Sequence, residues 1–238
     1  MKTLSELNVK IFADGAVKSE MVEMYRNPLI KGFTTNPTLM RKAGINDYQS
    51  FALDVLQAIP DRPISFEVFS DELDEMKRQA LLIKEWGENV YVKIPVSNTR
   101  AESTVKLVDE LSHAGVKLNI TAMMTFRQVV EISNALVGGA PAYLSVFAGR
   151  VADTGRDPLP IMTAAVELLK LRPGQELIWA SPRELLNVFQ ADEIGCHIIT
   201  VTVDILRKLN QTGKNLDVFS LETVKMFRED AIKAGYSL

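Results

Sequence analysis

Short apolar and β-branched runs recur along the chain, and most are followed by a stretch with helical spacing. The runs are 9–14 (VKIFAD), 31–35 (KGFTT), 64–69 (ISFEVF), 90–96 (VYVKIPV), 117–123 (KLNITAM), 142–148 (AYLSVFA), 176–181 (ELIWAS) and 197–202 (HIITVT). In DELDEMKRQALLIKEWG, Leu73, Met76, Ala80 and Ile83 share one face while Glu72, Glu75 and Lys84 lie elsewhere, which predicts an amphipathic helix. AESTVKLVDELSHAG reads the same way, and Gly87, Gly115 and Gly174 stand where helices should stop.

Eight strands alternating with helices predict an α/β fold, a closed (β/α)8 TIM barrel. No Ser/Gly/Pro-rich linker divides 1–238, so a single domain is expected. An additional C-terminal helix is expected at about 220–235, with Ser220 as its N-cap and Glu222 near the positive helix end. No G-x-G-x-x-G follows the first strand and no G-x-x-x-x-G-K-[ST] occurs, which weakens a nucleotide-binding reading.

A barrel of this kind carries its active site at the C-terminal strand ends and in the loops beyond them. Those positions hold Asp14, Thr34, Thr35, Asn36, Glu67, Lys93, Asn119, Thr121, Ser145, Arg150, Ser181 and Arg183. Single polar groups interrupting apolar strands on successive units need partners, which they can supply to one another on a shared cavity.

Lys93 is the candidate nucleophile. An amine attacks a carbonyl only when neutral, and a lysine starts near ~10.4. The apolar neighbours Val92 and Ile94 are expected to desolvate it and bring it to about 7–8. The alternative is a structural ion pair between Lys93 and Asp14 or Glu67. An imine on Lys93 would act as electron sink for breaking a carbon–carbon bond, with Asp14 and Glu67 as the available acid/base carboxylates. Asn36 and Asn119 can hold sugar hydroxyls, and Thr121 can orient a water. Arg150, Arg183 and Ser181 read as an anion clamp, since guanidinium matches phosphate geometry.

Composition narrows the classes further. An apolar fraction of 47% and a charged fraction of 24% are ordinary for a soluble globular protein. A net charge of −3 gives no electrostatic case for nucleic acid. The single cysteine, Cys196, excludes an internal disulfide and fits a reducing compartment. The opening MKTLSELNVKIFADG lacks the apolar core of a signal peptide, and no run of ~18 apolar residues predicts a membrane span. A cytoplasmic location is expected. His113 near a helix end, and His197 beside Cys196, lack metal-ligand spacing. Met123 and Met124 read as core fillers, and Asp153, Arg156 and Asp157 as turn or site-border residues.

GFTTNPTLM, VYVKIPV, KLNITAMM, SVFAGRVAD and IWASPRE resemble, in order and spacing, the motifs of transaldolases, especially the short transaldolase and fructose-6-phosphate aldolase branch. The resemblance runs from Asp14 to the final helix. It implies a (β/α)8 barrel with imine chemistry, using neither metal nor cofactor. By motif it makes Lys93 the Schiff-base lysine, Asp14 the acid/base for carbon–carbon cleavage, and Glu67 an acid/base working through a water that Thr121 helps to position. Asn36, Asn119 and Ser145 would contact the dihydroxyacetone unit, Thr34 would support Asp14, and Ser181, Arg150 and Arg183 would hold phosphate.

Simple aldolases of the group carry glutamine in place of Glu67 and tyrosine in place of Phe147, so both positions here resemble transaldolases. Phenylalanine cannot protonate the three-carbon carbanion, which favours transfer over release. Trp179 and Pro182 beside Ser181 and Arg183 depart from the pattern, which opens a sulfonated sugar as the alternative to a phosphorylated one. The resemblance also implies a homo-oligomer, commonly a decamer, with the last helix on a neighbour. A fructose-6-phosphate aldolase-type lyase and a non-catalytic sugar-phosphate-binding protein are the competing readings.

Overall fold

Eight parallel strands close into a barrel in the computed structural model, which describes residues 2–237. They are β1 (Lys10–Asp14), β2 (Ile30–Thr34), β3 (Ile64–Glu67), β4 (Val90–Pro95), β5 (Leu118–Met123), β6 (Ala142–Val146), β7 (Gln175–Trp179) and β8 (Ile198–Thr202). Each pairs with the next, and β8 closes on β1 through Lys10↔Ile198 to Asp14↔Thr202. The predicted 64–69 run ends early, at Glu67, and the 142–148 run ends at Val146, where the chain turns into a helix.

The helices are α1 (Lys18–Tyr25), α2 (Pro37–Lys42), α3 (Tyr48–Ala58), α4 (Leu73–Lys84), α5 (Val105–His113), α6 (Phe126–Ala135), α7 (Ala148–Ala152), α8 (Leu159–Leu169), α9 (Leu186–Glu193), α10 (Val203–Lys208) and α11 (Leu216–Lys233). Met76, Ala80 and Ile83 are buried on α4, the face that the periodicity predicted. Gly115, two residues past the end of α5, has the left-handed φ of 77° that a helix-stop glycine requires, whereas Gly174, φ 83°, lies five residues past α8 in the turn before β7, and Gly87 is not left-handed.

Strand residues alternate between two environments, because successive side chains point to opposite faces. Val90, Val92, Ile94, Leu118, Ile120, Leu144, Leu177, Trp179 and Ile199 join the large core between sheet and helices. Phe12, Tyr143, Ile178, Ala180 and Ile198, with Tyr91 and Phe147, form a separate cluster inside the barrel. A Cβ on Gly32 would sit 2.5 Å from the Phe12 ring, so only glycine lets that ring fill the barrel. The polar strand-end side chains occupy the layer above this plug.

The last helix differs from expectation. It begins at Leu216, capped by Asn215, whose side-chain oxygen accepts the backbone N–H groups of Asp217 and Val218 at 2.9 and 3.1 Å. Ser220 and Glu222 therefore lie inside it. An asparagine side chain offers the same cap as serine, and here it precedes the whole apolar run. No residue of α11 is buried, and Phe219, Leu221, Val224, Met226, Phe227 and Ile232 are all exposed.

Candidate active site

One cavity of about 510 Å³ opens at the C-terminal end of the barrel, a volume suited to a small-molecule ligand. Asp14, Thr34, Asn36, Glu67, Lys93, Asn119, Thr121, Ser145, Phe147, Arg150, Ser181 and Arg183 all line it. Of the strand-end positions expected from sequence, Thr35 alone does not line it; its hydroxyl donates to the Ser65 carbonyl at 2.8 Å.

At its floor the Lys93 amine donates to the Thr35 carbonyl at 3.0 Å and lies 3.1 Å from a Glu67 carboxylate oxygen. Lys93 is buried, with 7% of its surface exposed. Its surroundings differ from the dry apolar flank expected. Val92 and Ile94 are its sequence neighbours and so face the opposite side of the sheet, in the helix-side core. Lys93 faces the barrel interior with its register partners Glu67 and Asn119. The ion pair weighed as the alternative is present, with Glu67 as partner.

Asp14 accepts from the Thr34 hydroxyl at 2.8 Å and from the Asn36 amide at 3.4 Å. Burial holds its carboxyl above the ordinary carboxylate range, against the opposing pull of the Lys93 charge and these hydrogen bonds. The Asn36 oxygen meanwhile caps α2 by accepting from Leu39 N–H at 2.9 Å. Its two ends are thereby assigned, and the amide faces Asp14.

The other wall is a hydroxyl and amide chain. Ser145 donates to the Asn119 oxygen at 2.7 Å, and the Asn119 amide donates to Ser65 at 2.9 Å. The Thr121 hydroxyl is buried on the cavity wall without a hydrogen-bond partner among the described residues. A buried hydroxyl in that state calls for a water or ligand atom. Ala122, next to it, and Ser181 across the cavity both adopt left-handed backbone, φ 63° and 60°. Such strain in non-glycine residues is characteristic of binding sites.

Gly149 joins the two arginine-bearing segments. A Cβ there would lie 1.5 Å from the Ser181 carbonyl oxygen, so α7 and the loop after β7 meet with no room for a side chain. The arginines are not equivalent. Arg183 is doubly bonded to Asp153, through its Nε at 2.9 Å and through a second guanidinium nitrogen. That contact holds the Asp153 carboxyl below its usual range. Arg150 makes no ion pair among the described residues, and its guanidinium lies 5.8 Å from the Phe147 ring centre. Trp179 and Pro182 are buried but do not line the cavity. Trp179 faces the helix-side core because it alternates with Ile178 and Ala180. The departure they suggested at the anion site is not a contact with it.

Two further participants carry no distinguishing mark in the sequence, and a third, Asp153, is open there between a turn and the border of the site. Thr200 lines the cavity with its hydroxyl 2.5 Å from that of Thr34. Asp153 pairs with Arg183, and Tyr48 reaches the Glu67 backbone from α3. Thr200 looks like an ordinary strand-former in HIITVT, and Asp153 like a turn residue; only the three-dimensional partner separates them from such roles. His197 accepts the Leu177 N–H on Nδ1 at 3.1 Å, and Cys196 is buried with its thiol pushed up to about 12 by desolvation. Among the described residues, no cluster of three or more His, Cys, Asp and Glu could hold a metal ion. No helix there is long and apolar enough to cross a membrane.

A parallel barrel with a lysine amine, two carboxylates and an arginine pair around one C-terminal cavity has the layout of a carbonyl-chemistry barrel enzyme. Residues 11–238 match the family model Transaldolase/Fructose-6-phosphate aldolase, and the chain belongs to that family. Among curated relatives, a probable transaldolase of a Thermoanaerobacter species is 33% identical over 231 residues, covering 97% of this chain and all of the relative. A probable transaldolase of Dehalococcoides mccartyi is 33% identical over 204 residues, or 85% of this chain and 91% of the relative. Among solved structures, an HpcH/Hpal aldolase/citrate lyase family protein from Burkholderia cenocepacia superposes with a TM-score of 0.60 at 15% identity. That match covers 93% of this chain and 97% of the other, and speaks for the fold. The general activity is accordingly of the transaldolase type.

Proposed function

We propose that the protein transfers a dihydroxyacetone unit from a ketose phosphate to an aldose phosphate through a Schiff base on Lys93. The observation that carries this reading is the Lys93 amine sharing one cavity with Glu67, Asp14 and an arginine pair. The neutral amine adds to the ketone carbon, and loss of water gives the iminium. Asp14 then takes the proton of the hydroxyl next to the breaking bond. The bonding electrons flow into the iminium, giving an enamine and a free aldehyde. An acceptor aldehyde reverses these steps, and water releases the new ketose. Glu67, through a water held at Thr121, moves protons in forming and hydrolysing the imine. The Glu67 carboxylate, 3.1 Å from the amine, is placed to exchange protons with it as the imine forms and is hydrolysed.

Phe147 presents no hydroxyl to protonate the enamine, which supports transfer over a fructose-6-phosphate aldolase-type lyase. Incubation with fructose 6-phosphate and borohydride is expected to fix a three-carbon adduct on Lys93; an unmodified chain, or a label on another lysine, overturns the reading. F147Y should raise release of free dihydroxyacetone without acceptor. A non-catalytic sugar-phosphate-binding protein would instead bind ligand equally well after Lys93→Met and exchange no carbon.

A sulfonated sugar is the second reading, favoured by Asp153. Two guanidinium charges and one carboxylate leave a net charge of about +1 at the clamp, which matches a sulfonate better than a phosphate monoester carrying about −1.5 to −2. The exposed apolar side chains of α11 support a homo-oligomer in which this helix packs on another copy, with a decamer as the family-implied size. A cytoplasmic location accords with the reading.

A further inference from the structure

Parallel strands exchange hydrogen bonds in a fixed order, and the β2–β3 ladder breaks that order beside the nucleophile. Thr35 N–H donates to the Ser65 carbonyl at 3.2 Å. The next rung would run from Glu67 N–H to the Thr35 carbonyl. That rung is not made. Glu67 N–H donates instead to the Tyr48 hydroxyl at 2.7 Å, and the hydroxyl donates back to the Glu67 carbonyl at 3.1 Å. The Thr35 carbonyl, released from the ladder, accepts the Lys93 amine at 3.0 Å.

We infer that Tyr48 is a positioning residue for the Glu67–Lys93 pair: its hydroxyl replaces a ladder rung, fixing Glu67 from behind and leaving the Thr35 carbonyl to hold the amine. Tyr48 does not line the cavity and touches no reacting atom. It stands at the start of α3, capped by Asp47, whose oxygen accepts Ser50 N–H at 3.0 Å. Its ring is wedged edge-on against Phe69 at 4.4 Å, Trp86 at 5.4 Å and Phe66 at 6.1 Å. The hydroxyl is therefore delivered by a rigid aromatic cluster. Burial pushes its ionisation well above the ordinary tyrosine range, so it acts as a neutral donor and acceptor throughout the working pH range.

Glu67 needs such a device because its strand ends there. β2 stops at Thr34 and its chain leaves through Asn36 into α2, so β3 loses its neighbour at the residue that faces the lysine. Without a substitute, the Glu67 peptide would either return to Thr35, displacing the amine, or stay unpaired.

This role for Tyr48 rests on the Schiff-base reading, and the test separates the two. Borohydride trapping of fructose 6-phosphate on Lys93 is timed in the wild type, Y48F, E67Q and the double variant. Y48F should slow trapping about tenfold with substrate KM within about twofold. In the E67Q background the same change should cost less than about threefold, because the pair it positions is gone. W86F loosens the same aromatic cluster and spares the hydroxyl; it should lower Tm and slow trapping by no more than about twofold, well short of Y48F. Normal trapping by Y48F, equal losses in both backgrounds, or equal losses from Y48F and W86F overturn the inference. Absence of any Lys93 adduct in the wild type overturns the Schiff-base reading instead.

Discussion

Thr200 and Asp14 are joined by a chain of two hydroxyl hydrogen bonds that runs from the middle of β8, through the end of β2, to the end of β1. The Thr34 hydroxyl spends its one proton on Asp14 at 2.8 Å, so at the 2.5 Å contact with Thr200 it must accept. Thr200 is therefore the donor, and the chain has a direction: proton by proton it points at the Asp14 carboxylate. The chain holds the Asp14 carboxylate in one orientation, as the proposed removal of a sugar hydroxyl proton requires.

T200V removes the donor and keeps the strand-compatible shape. Carbon exchange between sugars should fall about tenfold, while trapping of the imine at Lys93 stays within about twofold. Loss of trapping in proportion would mean that Thr200 serves the lysine side of the site.

Asp14 sets up a pH-dependent stability. Its folded-state pKa is raised by burial, so between the unfolded value and the folded one the native chain binds more protons than the unfolded chain. Stability contributed by this group is thus highest below that window and falls as pH rises through it. D14N should abolish carbon exchange yet raise Tm by about 2–4 °C at pH 7.5, with the gain shrinking towards pH 4. Scanning calorimetry at several pH values checks it; a lower Tm at pH 7.5 would show that the Thr34 and Asn36 hydrogen bonds outweigh desolvation.

At the clamp, D153N frees Arg183 and adds one net positive charge. KM for a phosphorylated ketose should fall about threefold or more, and KM for its sulfonated counterpart should change less. Paired initial-rate measurements on the two substrates decide between them. A rise in both KM values would mean that Asp153 holds Arg183 in its binding position.

On α11, Phe219 and Phe227 lie eight residues apart along an exposed helix with no buried side chain. The double substitution F219E/F227E should lower the mass in light scattering while leaving the circular dichroism of the barrel intact. An unchanged assembly would remove α11 from the contact.

The barrel was legible because its alternation of strand and helix signals does not depend on knowing which face of a strand looks inward. That the polar strand-end residues share one cavity was legible because a polar atom in an apolar strand is costly to bury unless it meets a partner or a ligand. The environment of Lys93 was not. Val92 and Ile94 flank it in sequence and lie across the sheet from it in space, and the groups that do surround it come from β2, β3 and β5. Trp179 misled in the same way, by adjacency to Ser181. The cap of α11 failed for a different reason, since both Asn215 and Ser220 are sound caps and Asn215 comes first, ahead of the whole apolar run. Tyr48 carried no signal, because a tyrosine at a helix start reads as packing until its hydroxyl is seen to replace a backbone rung.

Gly149 has a bearing on how this enzyme can diversify. α7 and the Ser181 carbonyl meet without clearance, Gly149 N–H donates to the Ala180 carbonyl at 3.4 Å, and Asp153 ties Arg183 back, so the two guanidinium-bearing segments pack as one unit. Adaptation to a new anion must therefore proceed by exchanging side chains on a fixed frame. Orthologues that prefer different acids should differ at positions such as 150, 153 and 183, with glycine retained at 149.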